Sequence, residues 1–412
     1  MRVVYERCCG LDVHKETVAA CVLLTGADGR VDKRVRTFAT MTADLLALAD
    51  WLGGLGVTHV AMESTGIYWR PIFNLLEDGQ TVLLVNAQHV KAVPGRKTDV
   101  KDSEWLADLL RHGLLQPSFI PPAPVRALRD LTRYRKTLIQ ERAQEVNRLH
   151  KVLETANLKL ASVATDILGA SGRRMLEAIL AGEQDPAVLA ELAQGRLRQK
   201  LPQLRLALQG RLQPHHRVLI ERILAHVDFL EDSLAALQAE IAAALVPVAA
   251  AVTLLQTIPG IGAAAAATIV AEIGTDMERF PSAKHLASWA GLCPGNRQSG
   301  GKRLSGKARP GDRWLKGVLG EVAWAVARTR DTYLGAQFRR IARRRGLYKA
   351  IVAVAHSVVV IIYHMLRTGQ PYADLGPDYF DRLDADRLQR HHVHRLRELG
   401  YDVTLTPATA PG

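Results

Sequence analysis

The sequence holds only four cysteines, Cys8, Cys9, Cys21 and Cys293. They have neither the framework spacing of a disulfide scaffold nor the paired CxxC spacing of a zinc site, so a stapled secreted domain is excluded and a reducing compartment fits best. Histidines 215, 216, 391, 392 and 394 lack matching cysteines, which argues against zinc as well. The first residues, MRVVYERCCGLDVHKE, are too charged for a signal peptide. Long unbroken apolar runs are missing too. The longest, AIVAVAHSVVVIIYHML over 350–366, is interrupted by His356 and Ser357 and is short for a bilayer. It predicts a buried helix in a cytoplasmic protein with no membrane partner. Acid is in deficit: 41 Asp and Glu stand against 54 Lys and Arg, a net charge of +13. That balance points to a polyanionic partner, nucleic acid first.

What is present suits a folded protein, with 412 residues, 48% of them hydrophobic and 23% charged, enough for two or three domains. Over 1–115 the pattern alternates between strand and helix. CCGLDVH and TVAACVLL read as adjacent strands, RVRTFAT as a third, and TADLLALADWL as a helix with Thr42 as its N-cap. VTHVAMES is a fourth strand, YWRPIFNLLEDG a helix stopped by Gly79, TVLLVN a fifth strand, and DSEWLADLLRHG a helix ending at Gly113. The order is βββαβαβα. A proline cluster over 116–124 marks a boundary, after which the chain turns helical. Ile223, Val227, Leu230, Leu234, Leu237 and Ile241 keep one apolar seam at spacings of 4, 3, 4, 3 and 4. This is a coiled-coil or bundle signal, met either by the arginine-rich helix of 125–155 or by a second chain. Residues 156–216 are broken by Gly, Pro and Gln and give no clear element. Pro247 closes the long helix, a third region rich in Gly, Ala and Arg follows, and the polar tail over 376–412 is expected to be disordered.

Four acids stand out against this basic background. Asp12 lies in the first strand among apolar neighbours, Glu63 ends the fourth, and Asp99 and Asp102 open the last helix of the first region, where a spacing of three puts them on one face. If strands one and four are neighbours, Asp12 and Glu63 meet that face near one end. Converging carboxylates are what Mg²⁺ requires, and two such ions about 3.5–4 Å apart clamp the attacking and leaving oxygens of a phosphodiester. Each acid also has a plainer reading. A strand Asp bonds local backbone, and acids in a first turn offset the helix dipole. The element order, that of ribonuclease-H-like nucleases, favours the metal. Glu104 and Asp108 point away from Asp102 and read as surface acids.

LLQTIPGIGAAAAATIVAEIG over 254–274 places Gly260 and Gly262 in a turn between helical stretches. It is either a helix-hairpin-helix whose backbone grips DNA phosphate or a plain tight turn. Between Arg297 and Arg313 a glycine-rich loop carries Lys302, Arg303, Lys307 and Arg309 against one acid, Asp312, and should lie against phosphate. Its GKRLSGK segment lacks the GxxxxGK[ST] spacing and the preceding strand of a P-loop, so nucleotide hydrolysis is rejected. Ser299 and Ser305 are the hydroxyls of this loop. From the residues alone, a linker or phosphorylated serine reads ahead of a nucleophile. Arg339, Arg340 and Arg343 belong to five arginines over 339–345 on a predicted helix, a further phosphate contact.

Taken in order, GLDVHK, AMESTGIYW, RKTDVKDSEWLADLLRHGLL, IPGIG, LASWAGLCPGNRQSGGK and PYADLGPDYF resemble the DEDD transposases of insertion-sequence family 110, relatives of the pilin-gene invertases. The resemblance spans nearly the whole chain, with no motif in 156–216. It implies an α/β plus α architecture. A RuvC-like, ribonuclease-H-like nuclease domain occupies 1–115, a helical coiled-coil region 125–250, a mainly helical C-terminal transposase domain with the helix-hairpin-helix 251–375, and a polar tail 376–412. It implies that Asp12, Glu63, Asp99 and Asp102 form the catalytic tetrad on Mg²⁺, and that Ser299 is the nucleophile, with Ser305 its nearest competitor. A structured noncoding guide RNA, DNA ends and targets, and a dimer or tetramer are the partners it implies. In that mechanism the metal polarises the scissile phosphate and Ser299 attacks it, leaving a phosphoserine link and a free 3′ hydroxyl. Asp102 is a candidate to take the proton, and the serine and tetrad meet through folding or across subunits. The competing readings are a junction nuclease that uses water and a non-catalytic nucleic-acid-binding protein.

Overall fold

The computed structural model describes residues 2–63, 66–86, 102–295, 297–306, 308, 310–383 and 385–406. The chain divides into two compact units, Met1–Ile120 and Pro121–Gly412. In the first, β1 (Arg7–Val13), β2 (Thr17–Thr25), β3 (Val31–Ala39), α1 (Thr42–Gly54), β4 (His59–Glu63), α2 (Trp69–Leu76), β5 (Thr81–Val85) and α3 (Asp102–Arg111) follow the expected order. The sheet runs β3-β2-β1-β4-β5. β1 is antiparallel to β2 and parallel to β4. Being central, β1 is covered on both faces, which is why its sequence is a near-continuous apolar run and not an alternation. β3 is the opposite case, a margin strand with exposed Lys33, Arg34 and Arg36. The odd positions of β1, Cys9, Leu11 and Val13, pack with Leu48 and Leu52 of α1 and Ile72 and Leu76 of α2. Cys8, with Ala61 of β4, packs on the other face against Leu106, Ala107 and Leu110 of α3. Thr42 does not cap α1: the N-cap is Met41, and no side chain closes the turn.

In the second unit α4 (Ala123–Thr155) begins the helical part; α5 (Ala170–Ala181), α6 (Pro186–Glu191) and α7 (Leu201–Ala207) are short, and α8 (Pro214–Leu245) is long again. α4 and α8 run antiparallel. Leu128 clusters with Ile241 at one end, Glu145 meets His226 at 3.1 Å further along, and Thr155 lies 3.4 Å from His216 at the other end. The apolar seam of α8 is therefore met by α4 of the same chain. Ile223, Val227, Leu230 and Ile241 are buried on it. The three short helices fold over one end of this pair, and Met175, Leu176, Leu189 and Leu204 share a core with Leu149, Leu153, Ile220 and Leu224. Residues 156–216 are thus a packed helical cap.

Pro247 lies in a short 3₁₀ turn, Val246–Val248, that ends the long helix. Beyond it come α9 (Ala249–Leu255), α10 (Ala263–Ile273), α11 (Ala283–Trp289), a hairpin of β6 (Arg297–Ser299) and β7 (Lys302–Ser305), α12 (Arg313–Val326), α13 (Tyr333–Arg345) and α14 (Leu347–Thr368). α14 is the buried helix that its sequence predicts, with Val354, Ala355, Val358, Val359 and Ile362 inside. Two helical stretches, Pro214–Leu255 and Leu347–Thr368, are long and apolar enough to cross a membrane by length and composition alone. The first was not expected from the sequence, because Pro247 and scattered polar residues divide it. The tail also differs from expectation, since α15 (Tyr379–Leu383) and α16 (Ala385–Glu398) are helical. Tyr379 and Phe380 hold α15 by packing on Tyr333 at ring distances of 5.0 and 5.2 Å.

Candidate active site and nucleic-acid surfaces

The β1–β4 register pairs Leu11 with Met62, so Asp12 and Glu63 are the next residues along two parallel strands and point to one face. It is the face that α3 covers. α3 runs antiparallel to β1: the Val4 N–H donates to Arg111 O at 2.8 Å, and the Cys8 thiol lies 3.6 Å from Ala107 O. A Cβ on Gly10 would stand 2.2 Å from Ser103 O and 2.4 Å from Ala107 N, so only glycine admits the helix this close. The start of α3, with Asp102, thereby comes to the end of β1 that carries Asp12. Asp99 lies outside the described residues.

Asp12 is partly exposed, and its Oδ2 lies 3.2 Å from His14 Nε2. Among the described residues, no group of three or more His, Cys, Asp or Glu side chains is gathered closely enough to hold a metal ion. The three described acids of the set offer only hard carboxylate oxygens, the donor chemistry that Mg²⁺ prefers. Glu104, expected on the surface, instead pairs with Lys33 at 2.9 Å and keeps 23% side-chain exposure. Asp108 is half-exposed, 3.5 Å from His112.

In the basic loop, β6 and β7 pair antiparallel with Ser299 opposite Lys302 and Arg297 opposite Ser305. The two residues between, Gly300 and Gly301, have φ of 54° and 76°, the left-handed pair that a two-residue hairpin turn demands. Ser299 is therefore at the tip and Ser305 at the open end. The loop ends at Asp312, which caps α12 by accepting from the N–H groups of Trp314 and Leu315 at 3.0 and 2.7 Å. Asp312 also accepts from Arg133 at 3.0 Å. Arg133 in turn makes a two-pronged contact with Glu272 at 2.8 and 2.7 Å, and Arg129 lies 3.2 Å from the same carboxylate. Glu272 is fully buried. Burial pushes its carboxyl upward while the guanidiniums pull it back. The network ties α4, α10 and the first turn of α12.

The other expected phosphate contacts fall into distinct settings. Gly260 has φ of 88°, and a Cβ there would meet Val322 O and Val326 at 3.1 Å, so the turn packs tightly on α12. Gly262 is exposed and forms the uncapped N-cap of α10. Arg297 lies on β6 and Lys302 and Arg303 on β7. Lys307 and Arg309 lie outside the described residues. Arg339 donates to the carbonyls of Thr329 and Arg330 at 2.7 and 2.6 Å, just past the end of α12. Arg340 stands 3.9 Å from Asp381 and 5.6 Å from the Phe380 ring. Arg343 joins Arg344, His391 and His392 around a cleft of about 670 Å³.

Comparison with known proteins adds to this geometry. A family model for DEDD-type IS110 proteins, described as "Transposase", matches residues 9–158. A second, described as "Transposase IS116/IS110/IS902 family", matches residues 252–339. The chain belongs to the IS110/IS116 transposase family. The acids of β1, β4 and α3 lie within the first match, and the serine hairpin within the second. Among this family, the "Insertion element IS116 uncharacterized 44.8 kDa protein" of Streptomyces clavuligerus is 28% identical over 74% of this chain and 80% of its own. The "Insertion element IS110 uncharacterized 43.6 kDa protein" of Streptomyces coelicolor is 32% identical over 30% of each chain. The "Pilin gene-inverting protein" of Moraxella bovis is 33% identical over 29% of this chain and 38% of its own. The matched stretch thus spans under two-fifths of two of these relatives.

Sequence reasoning about this family member missed Gly10, His14 and the Arg129–Arg133–Glu272–Asp312 network. His14 had a local signal, two residues after Asp12. The others had none, because their partners are distant in the chain.

Proposed function

We propose that this transposase family member cuts and rejoins DNA through a serine nucleophile assisted by Mg²⁺, guided by a noncoding RNA. The observation that carries the reading is that Asp12 and Glu63 extend two neighbouring strands on the sheet face that α3 covers, toward the end where α3 begins. The β3-β2-β1-β4-β5 order supports a RuvC-like, ribonuclease-H-like assignment of that sheet. Asp12, Glu63, Asp99 and Asp102 are the residues that would hold Mg²⁺, which when bound supplies Lewis-acid polarisation of the scissile phosphate. Ser299 is favoured over Ser305 by its position at the hairpin tip. Its Oγ bonds to phosphorus as the bond from phosphorus to the 3′ oxygen breaks. The serine proton passes to a base, for which Asp102 is a candidate, and the departing 3′ oxygen takes up a proton. A 3′ hydroxyl from a new strand reverses these steps. The basic hairpin and α13 supply charge for DNA backbone, and guidance by RNA rests on the family likeness.

The test is incubation of the purified chain with supercoiled element DNA, Mg²⁺ and the flanking RNA, followed by denaturation and nuclease digestion. Protein covalently attached to DNA through Ser299 is the expected result, abolished by Ser299→Ala, by Asp12→Ala and by EDTA. Free nicked DNA that persists in Ser299→Ala would replace serine by water as the nucleophile. Unchanged cutting without RNA would remove the guide from the account.

A further inference from the structure

The middle of α4 and the first turns of α10 and α12 enclose a cleft of about 640 Å³ within the second unit. Four cations line it, Arg133, Arg135, Lys136 and Arg313, against one carboxylate, Glu321. Arg133 is committed to Glu272 and Asp312. Lys136 pairs with Glu321 at 2.6 Å, but with side-chain exposures of 39% and 62% that pair exchanges for another anion at little cost. Arg135 and Arg313 have no carboxylate partner among the described residues, and the Arg313 guanidinium rests 4.7 Å from the Trp314 ring. No side chain caps α10, whose Ala264 and Ala265 also line the cleft, so its leading N–H groups lack side-chain acceptors. The site is thus cationic on two walls and open to an anion on the third.

We infer that this cleft seats the phosphodiester backbone of the DNA strand on which the serine hairpin acts, with Arg135 and Arg313 pairing to its phosphates. The cations are spread along two helices, which suits a run of phosphates better than one ion. Strand β7 leads from the hairpin into α12 over a short connection, and the Arg133–Glu272–Asp312 network fixes the start of α12 under the cleft. A strand held there lies along the helix that the chain enters on leaving the hairpin. Gln140, exposed at the same cleft, supplies a way to spoil it without removing a contact. The inference rests on the catalytic reading of the hairpin only for the identity of the strand.

The experiment measures fluorescence anisotropy of the full chain on labelled element-end duplex across a KCl series. Each phosphate contact contributes about 0.9 to the slope of log K against log salt, so Arg135→Gln with Arg313→Gln should reduce its magnitude by about 1.8. Gln140→Glu should weaken binding with an unchanged melting temperature, and Arg196→Gln, an exposed charge on the helical cap, should leave the slope alone. An unchanged slope in the arginine variant together with unweakened binding by Gln140→Glu overturns the assignment, as does a wild-type chain that does not bind the duplex. A loss seen with single-stranded RNA of the same sequence and not with duplex would reassign the cleft to RNA and overturn it as stated. The two readings fail separately. Binding with the predicted slopes but no covalent adduct sinks the serine mechanism alone, and adduct formation undisturbed by the cleft variants sinks the cleft alone.

Discussion

At Gly10 the backbones of β1 and α3 come within a distance that no methyl group can share. Gly10→Ala therefore pushes α3 off the sheet. The expected cost is about 1–3 kcal/mol, as for other overpacked sites, read as a lower urea midpoint, with DNA cutting lost as Asp102 is displaced. Cutting that survives at wild-type rate would show that α3 does not position the acid. The thiols beneath that helix are inert for a related reason. Burial pushes Cys8 up to about 12 and Cys21 up to about 11, and it also raises Cys9, which lies on the opposite face of the sheet. Native protein at pH 8 should expose at most the half-buried Cys293 to a thiol reagent, and urea should release all four. Asp12 and Glu63 were legible in the sequence because an acid inside an apolar strand is conspicuous by itself. Gly10 was not, since its necessity comes from Ser103 and Ala107, far along the chain.

Among the elements, the α4–α8 pair is stabilised by packing that single truncations should reveal. Leu149 is fully buried where the pair meets its helical cap, and Leu149→Ala should cost about 2–5 kcal/mol in denaturant unfolding. Glu272→Ala leaves Arg129 and Arg133 desolvated without their carboxylate and should cost about 3–5 kcal/mol. A double variant replacing Arg133 and Glu272 by apolar residues should recover part of that loss. The apolar seam of α8 was readable as a heptad pattern, but a periodicity says that a partner exists and not which one; Leu128 with Ile241 answers from within the chain. The cap over 156–216 was hard to read because two of its helices span only 6 and 7 residues, too few to show a period, and begin at or next to proline, at Pro186 and Pro202.

For the whole molecule, a net charge of +13 makes nucleic-acid affinity a salt-controlled quantity. If six or more phosphates are engaged, raising salt from about 50 to 200 mM should weaken duplex binding by about 10³-fold or more. A flat titration would mean the charge serves another end. Removing residues 384–412 should leave the melting temperature unchanged, because α16 has no fully buried side chain among those described. The order of strands and helices in the first unit was legible because short apolar runs bounded by turn residues alternate there with stretches of helical spacing. Order in the tail was not, since α15 is held by Tyr333 and no apolar period of its own announces it. Among the described residues no strand pairs with the outer side of β3, and unpaired backbone groups on such a rim would let two molecules zip together. Lys33, Arg34 and Arg36 stud that rim, and although Lys33 pairs with Glu104 and Arg34 with Asp32, long charged side chains along a margin strand hinder a second strand from adding to it.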